Sequence, residues 1–304
     1  MNTVNSATPG GYAPTPSMQV PGGTVRGAIV RGAFRHAGVE LRIQFCSRQV
    51  MTWLYIPITG LLVLWFLRDI EVRGSAVSVT QMGISGLLAM SMIFGALVTP
   101  ACVLMNEQED GTLLRAKAVP GGMPSHLLGT LLITIGTTLV PMMLTLVLAS
   151  LLVPSIAPTS AGAWWTITWV SLLALSSCVS WGAVLGAWIK DVSLLGIALM
   201  AVYANLVISG IFYPIAALPT WLQYLGQVLP TYWIGLGYRS AMLPPEAVAL
   251  EVGGSWNLGL TVLVLASWTV IGFILAPMAL RRLTRRQSGS RVAAARDRVM
   301  SQGY

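Results

Sequence analysis

Charge is what this sequence has least of. Asp, Glu, Lys and Arg make up 9% of its 304 residues, against roughly 25% in a soluble domain. Lysine occurs only at Lys117 and Lys190, histidine only at His36 and His126, and cysteine only at Cys46, Cys102 and Cys178. Each shortage excludes a class of function. No acidic or basic residue falls within the long apolar runs, whereas ion- and proton-coupled transporters keep an ionisable relay at membrane depth. A Ser–His membrane hydrolase needs a base beside its nucleophile, and both histidines lie outside those runs, as interfacial bystanders. No Cys/His cluster has metal-ligand spacing, and no exposed cysteine pair suggests a disulfide framework. Neither lysine follows a glycine, so the phosphate-cradling G-x-x-x-x-G-K-[ST] loop is missing. The chain therefore reads as no enzyme, and any uphill work must draw its energy from another polypeptide.

What is present in quantity is apolar: 55% of the residues are hydrophobic. Six segments, at 50–67, 83–105, 127–153, 164–189, 192–213 and 257–280, are each long enough to cross the ~30 Å hydrocarbon layer. The expected fold is an all-α polytopic membrane protein with six transmembrane helices. Pro100 and Pro141 should kink the second and third spans. Trp65, Trp164, Trp165, Trp188 and Trp256 stand at or near span ends, as an aromatic belt requires. Before the first span, Val30, Phe34, Leu41 and Phe45 share one helical face beside a stripe of Arg31, Arg35 and Arg42. That pattern predicts an amphipathic helix lying in the interface over 26–48. Residues 1–25, rich in Gly, Pro, Ser and Thr and without an apolar signal core, read as a disordered tail. The membrane domain then covers 49–282, and 283–304 is a basic tail.

The net charge of +8 could suggest nucleic acid, but the basic residues flank spans and suit topology and anionic lipid instead. Five Arg lie in 26–48 and seven beyond residue 280, with Arg115, Lys117 and Lys190 in loops of the same side. Only Arg68, Arg73 and Arg239 fall opposite. The positive-inside rule puts both termini in the cytoplasm, as expected of a bacterial plasma-membrane protein.

Two stretches stand out. Asn106–Pro120, NEQEDGTLLRAKAVP, gathers acids and then bases between two apolar spans. This order suits the dipole of a short helix at the cytoplasmic face, where a soluble partner can push on it. Between the fifth and sixth spans, 214–256 is apolar and aromatic yet broken by Pro214, Pro219 and Pro230. Its pieces are too short to cross, which predicts extracytoplasmic re-entrant helices over 214–243.

NEQEDGTLLRAKAVP resembles the E-x-E-x-G-T-L-x-x-L-x-x-T-P segment that follows the second span in type-2 ABC transporter permeases. SGIFYPIAALPTWLQYLGQVLPTYWIGLGYRSAML resembles their region of extracytoplasmic re-entrant helices. The resemblance covers about 26–282, and the daunorubicin-resistance type of drug exporter looks closest. In this register Ala116 replaces the second leucine and Val119 the threonine before Pro120. The resemblance implies a homodimer or related heterodimer above two ATP-binding subunits, with ATP and Mg bound there and no cofactor in this chain. It assigns coupling to the ATPase to Glu107, Glu109, Asp110, Gly111, Thr112, Leu113 and Arg115, and the path to the first, second and fifth spans. Candidate path residues are Tyr55, Thr59, Met90, Phe94, Tyr203 and Asn205, with Ile211, Phe212 and Tyr213 as an apolar gate. Lipid contact or bundle packing would account for each of these side chains as well.

The function expected is export of an amphipathic small molecule, such as a drug, an antibiotic or a lipid-like compound. Export of a lipid-linked glycan or cell-wall polymer is the alternative, and would be expected to carry an aromatic ladder along the first and fifth spans. Here most Trp residues sit at span ends. A non-transporting membrane scaffold is a third reading, one that needs no ATPase.

Overall fold

The computed structural model describes residues 25–47, 49–72, 77–110, 122–189 and 191–301. Among these residues the fold is all-helical, with one isolated β-bridge between Glu71 and Ser78. The helices are α1 (Val25–Cys46), α2 (Gln49–Phe66), α3 (Val79–Ile93), α4 (Thr99–Asp110), α5 (Gly122–Leu152), α6 (Ala161–Trp188), α7 (Val192–Ile208), α8 (Thr220–Val228), α9 (Pro230–Met242) and α10 (Leu258–Ser301). By length and composition, Val79–Gln108, Ser125–Leu152, Ala161–Trp188 and Leu258–Leu283 can cross a membrane, while Pro57–Phe66 and Val192–Ile208 are shorter apolar helices. All six apolar segments of the sequence are thus helical, and four have the full length of a span. The last helix runs from the sixth apolar segment on to Ser301. The N-terminal tail, 1–24, lies outside the described residues.

Local chemistry sets the helix starts. Ser78 Oγ accepts from the Gln81 amide at 3.1 Å and Gln81 Oε1 accepts from the Ser78 amide at 3.0 Å. This reciprocal capping box satisfies donors that would otherwise be orphaned. Ser160 and Asp191 cap α6 and α7 by accepting from Ala163 and Leu194. Gly210, with φ of 59°, turns the chain sharply after α7, a conformation that costs glycine little.

Helix α6 is the central post, packed against α10, α9 and α4. Gly182 and Gly186 face residues 96–104 of the second apolar segment so closely that a Cβ at Gly182 would lie 2.6 Å from the Leu97 carbonyl oxygen. Small residues allow this approach, and close packing stands in for the hydrophobic drive that lipid removes. Leu88, Met92, Met142, Leu146, Ile167, Val170 and Ile211 belong to the main buried core. Inside it Ser171 Oγ and the Tyr238 hydroxyl share a 2.9 Å hydrogen bond.

The second apolar segment is not one uniform helix. A π-helix, Phe94–Val98, joins α3 to α4 immediately before Pro100. Proline offers no N–H to the carbonyl four residues back and its ring crowds that turn, so the helix widens there. The Thr99 amide and hydroxyl both donate to the Phe94 carbonyl and close the wider turn. By contrast α5 continues through Pro141.

Helix α1 packs along the start of α5, where Gly129 faces Ala33 and His36 and Gly136 faces Leu41. Among its described side chains Ala33 and Ala37 are buried, while Val30 and Phe34 are exposed. Of the apolar residues expected on one face of this helix, Leu41 meets Gly136 of α5 and Val30 and Phe34 stand exposed.

Helices α8 and α9 form a hairpin turning at Leu229. Trp268 Nε1 donates to the Val228 carbonyl at 3.0 Å, and Trp181 Nε1 donates to the Trp268 carbonyl at 3.0 Å. Trp268 lies about 15 Å along α10 from Leu258 at 1.5 Å per residue.

Candidate functional site

The π-helix borders a cavity of about 290 Å³. Its walls are Met90, Phe94, Val98, Cys102 and Asn106 from α3 to α4, Pro57 from α2, and Thr137, Thr138 and Pro141 from α5. Met90 to Asn106 spans roughly 24 Å of helix, so the cavity is a cleft along this segment. Apolar groups dominate its surface, and the polar contributions come from Ser91, Thr99, Asn106, Thr137 and Thr138. Such a site suits an apolar body with a small number of polar groups.

The residues singled out from sequence distribute unevenly around it. Met90 and Phe94 line the cleft, and the Phe94 ring meets Tyr203 of α7 at 5.5 Å between centroids. Tyr55 is exposed on α2, one turn before Thr59, whose hydroxyl donates to the Tyr55 carbonyl. Asn205 instead bridges elements: its Nδ2 donates to Thr231 Oγ1 at 2.9 Å and its Oδ1 accepts from buried Ser209. Ile211 is fully buried against the core, and the Ile211 carbonyl and Phe212 ring press on Gly86 of α3. The Tyr213 hydroxyl donates to the Val207 carbonyl. These three residues form the turn over the end of α7.

At the other end of the cleft, Asn106 is followed by Glu107, whose Oε1 lies 2.9 Å from His126 Nε2. Both side chains are only 15% exposed. Gln108 Nε2 donates to the Gly186 carbonyl of α6 at 2.7 Å. The start of the polar stretch Asn106–Pro120, called the elbow below, is thus anchored to two neighbouring helices through Glu107 and Gln108, and His126 is a partner of Glu107 rather than the bystander expected. Gly111, Thr112, Leu113 and Arg115 lie outside the described residues, as do the side chains of Glu109 and Asp110.

Sequence reasoning missed a second polar centre. Arg239 Nε donates to Glu251 Oε1 at 2.6 Å and Nη2 to Oε2 at 3.3 Å, while Nη1 reaches the Gly210 carbonyl at 3.4 Å. The Tyr232 hydroxyl also donates to Glu251 Oε2. The pair is buried and ties α9 to the segment after it and to the turn after α7. Twelve residues and the Pro244–Pro245 break separate the partners, so no periodic pattern connects them. Among the described residues no cluster of His, Cys, Asp or Glu could hold a metal ion.

Residues 49–276 match the sequence profile of the family described as ABC-2 family transporter protein. Comparison with curated proteins gives no match.

Proposed function

This chain belongs to the ABC-2 family of transporter proteins, and on that premise we propose that it is the permease subunit of an ATP-driven exporter of amphipathic small molecules. Membership implies association with an ABC ATPase subunit. The observation that carries the proposal is the cleft, which begins at Asn106 beside the Glu107–His126 pair and follows α4 and the π-helix to Met90. A polar end beside the elbow and an apolar interior suit a molecule that enters head first from the cytoplasmic side. We extend the reading to drug-like, antibiotic or lipid-like cargo, to a bacterial plasma membrane, and to termini in the cytoplasm.

In this proposal all six apolar helices cross, with α2 and α7 as the shorter crossings. Helices α8 and α9 dip into the outer leaflet, and contact between the hairpin turn and Trp268, well inside α10, supports that depth. Two copies pair through α7, of whose side chains only Val202 and Leu206 are buried within one chain while Ile197, Met200, Tyr203 and Val207 stand exposed. Two ATPase subunits bind ATP and Mg, close, and push the elbow residues Glu107, Glu109, Asp110, Gly111, Thr112, Leu113 and Arg115. The helices tilt as units because their backbone hydrogen bonds are internal. Cargo then leaves past Ile211, Phe212 and Tyr213.

The test is reconstitution of the chain with its ATPase in proteoliposomes. ATP-dependent movement of amphipathic dyes, together with their stimulation of ATP hydrolysis, is the expected result. A chain that purifies without any ATPase and moves nothing would end the proposal.

A further inference from the structure

The cleft has a hydrogen-bonding polarity as well as a shape. Four of its wall residues carry hydroxyls, and each spends its proton on a carbonyl of its own helix. Ser91 donates to Leu87 at 2.8 Å, Thr99 to Phe94 at 3.0 Å, Thr137 to Ile133 at 2.9 Å and Thr138 to Thr134 at 2.7 Å. A hydroxyl that has donated its only proton offers a neighbour nothing but lone pairs. Pro141, also in the wall, has no N–H to offer. Among the described residues no Lys or Arg lines the cavity. Phe94 presents an aromatic wall, whose face attracts cations. Beside Thr99, Thr137 and Thr138 acceptors therefore outnumber free donors, the Asn106 amide standing at the far end of the cleft, and a carboxylate or phosphate lodged among these hydroxyls would lose its hydration with little replacement.

We propose that the cleft selects amphiphiles bearing an amine, with the ammonium or N–H group against Thr137, Thr138 and Thr99 and the apolar body along Met90, Phe94 and Val98. This deepens the export reading and rests on it for the claim that the bound molecule is cargo.

Cys102 sits in the same wall and reports occupancy directly. In full-length chain carrying Cys46→Ser and Cys178→Ala, purified in an uncharged maltoside detergent, alkylation of Cys102 by N-ethylmaleimide is timed with two matched probes. These are 2-(1-naphthyl)ethylamine and 1-naphthylacetate, which share a ring system and differ in the sign of the charge. The amine should slow alkylation at a concentration about tenfold or more below that at which the acid does. Thr137→Val with Thr138→Val should erase most of that preference while leaving the weak acid response unchanged. Equilibrium dialysis of both probes against the wild-type chain should rank them in the same order, whatever the intrinsic reactivity of Cys102. Equal protection by the acid, no difference in dialysis, or a preference that survives the double valine variant would overturn the proposal. Binding is read without the ATPase, so failure here leaves the permease reading standing, and failed ATP-driven export would not alter the binding result.

Discussion

Arg239 and Glu251 form a two-contact ion pair with side chains 0% and 1% exposed. Three separate pieces of chain meet at this pair, since Arg239 also reaches the Gly210 carbonyl and Tyr232 donates to Glu251. Breaking a buried pair by deleting one partner leaves an uncompensated charge and costs about 3–5 kcal/mol. Glu251→Ala should therefore lower the unfolding temperature of the detergent-solubilised protein sharply. The double change Arg239→Met with Glu251→Leu should do less harm than Glu251→Ala alone, because neither charge is stranded. Thermal unfolding of the three proteins decides this, and a double variant as unstable as the single one would show that geometry rather than charge pairing dominates.

The Glu107–His126 contact links the end of α4 to the start of α5. Under the proposed mechanism this link keeps the elbow in position to receive the ATPase. Glu107→Ala together with Glu109→Ala should lower cargo-stimulated ATP hydrolysis and transport while membrane insertion remains normal. His126→Ala should weaken coupling in the same direction. Hydrolysis rates in proteoliposomes and membrane yields measured side by side check both, and undiminished coupling in the double glutamate variant would remove the elbow from the mechanism.

Gly86 lies under the turn that carries Ile211 and Phe212. A Cβ there would stand 2.5 Å from the Ile211 carbonyl oxygen and 2.7 Å from the Phe212 ring. Backbone cannot move aside as a flexible side chain would, so Gly86→Ala should cost about 1–3 kcal/mol, as overpacking does. Gly38 in α1 offers the contrast, with nothing within 4 Å of an added Cβ. Gly38→Ala should be stabilising by about 0.5–1 kcal/mol, the usual helical advantage of alanine. Unfolding midpoints of the two variants should shift in opposite directions.

Residue pattern by itself determined the class of molecule. Long runs without charge have no soluble solution, because their helical backbone is self-sufficient in lipid and their side chains are not at ease in water. Hence the six apolar segments at 50–67 through 257–280 all proved helical; of the six side chains named from sequence for a translocation path, Met90 and Phe94 line the cleft. Capping chemistry at Ser78, Ser160 and Asp191 is likewise local.

Only the tertiary structure decided which polar groups meet. Glu107 with His126, Arg239 with Glu251 and Asn205 with Thr231 are pairings between different pieces of chain, set by how helices cross rather than by any spacing along one helix. The same holds for the cleft, whose α5 wall brings Thr137 and Thr138 to a widened turn that Pro100 forces in the neighbouring segment. A helix repeats every 3.6 residues whatever its surroundings, so periodicity reveals a face. What occupies the space opposite that face depends on packing among helices far apart in the chain.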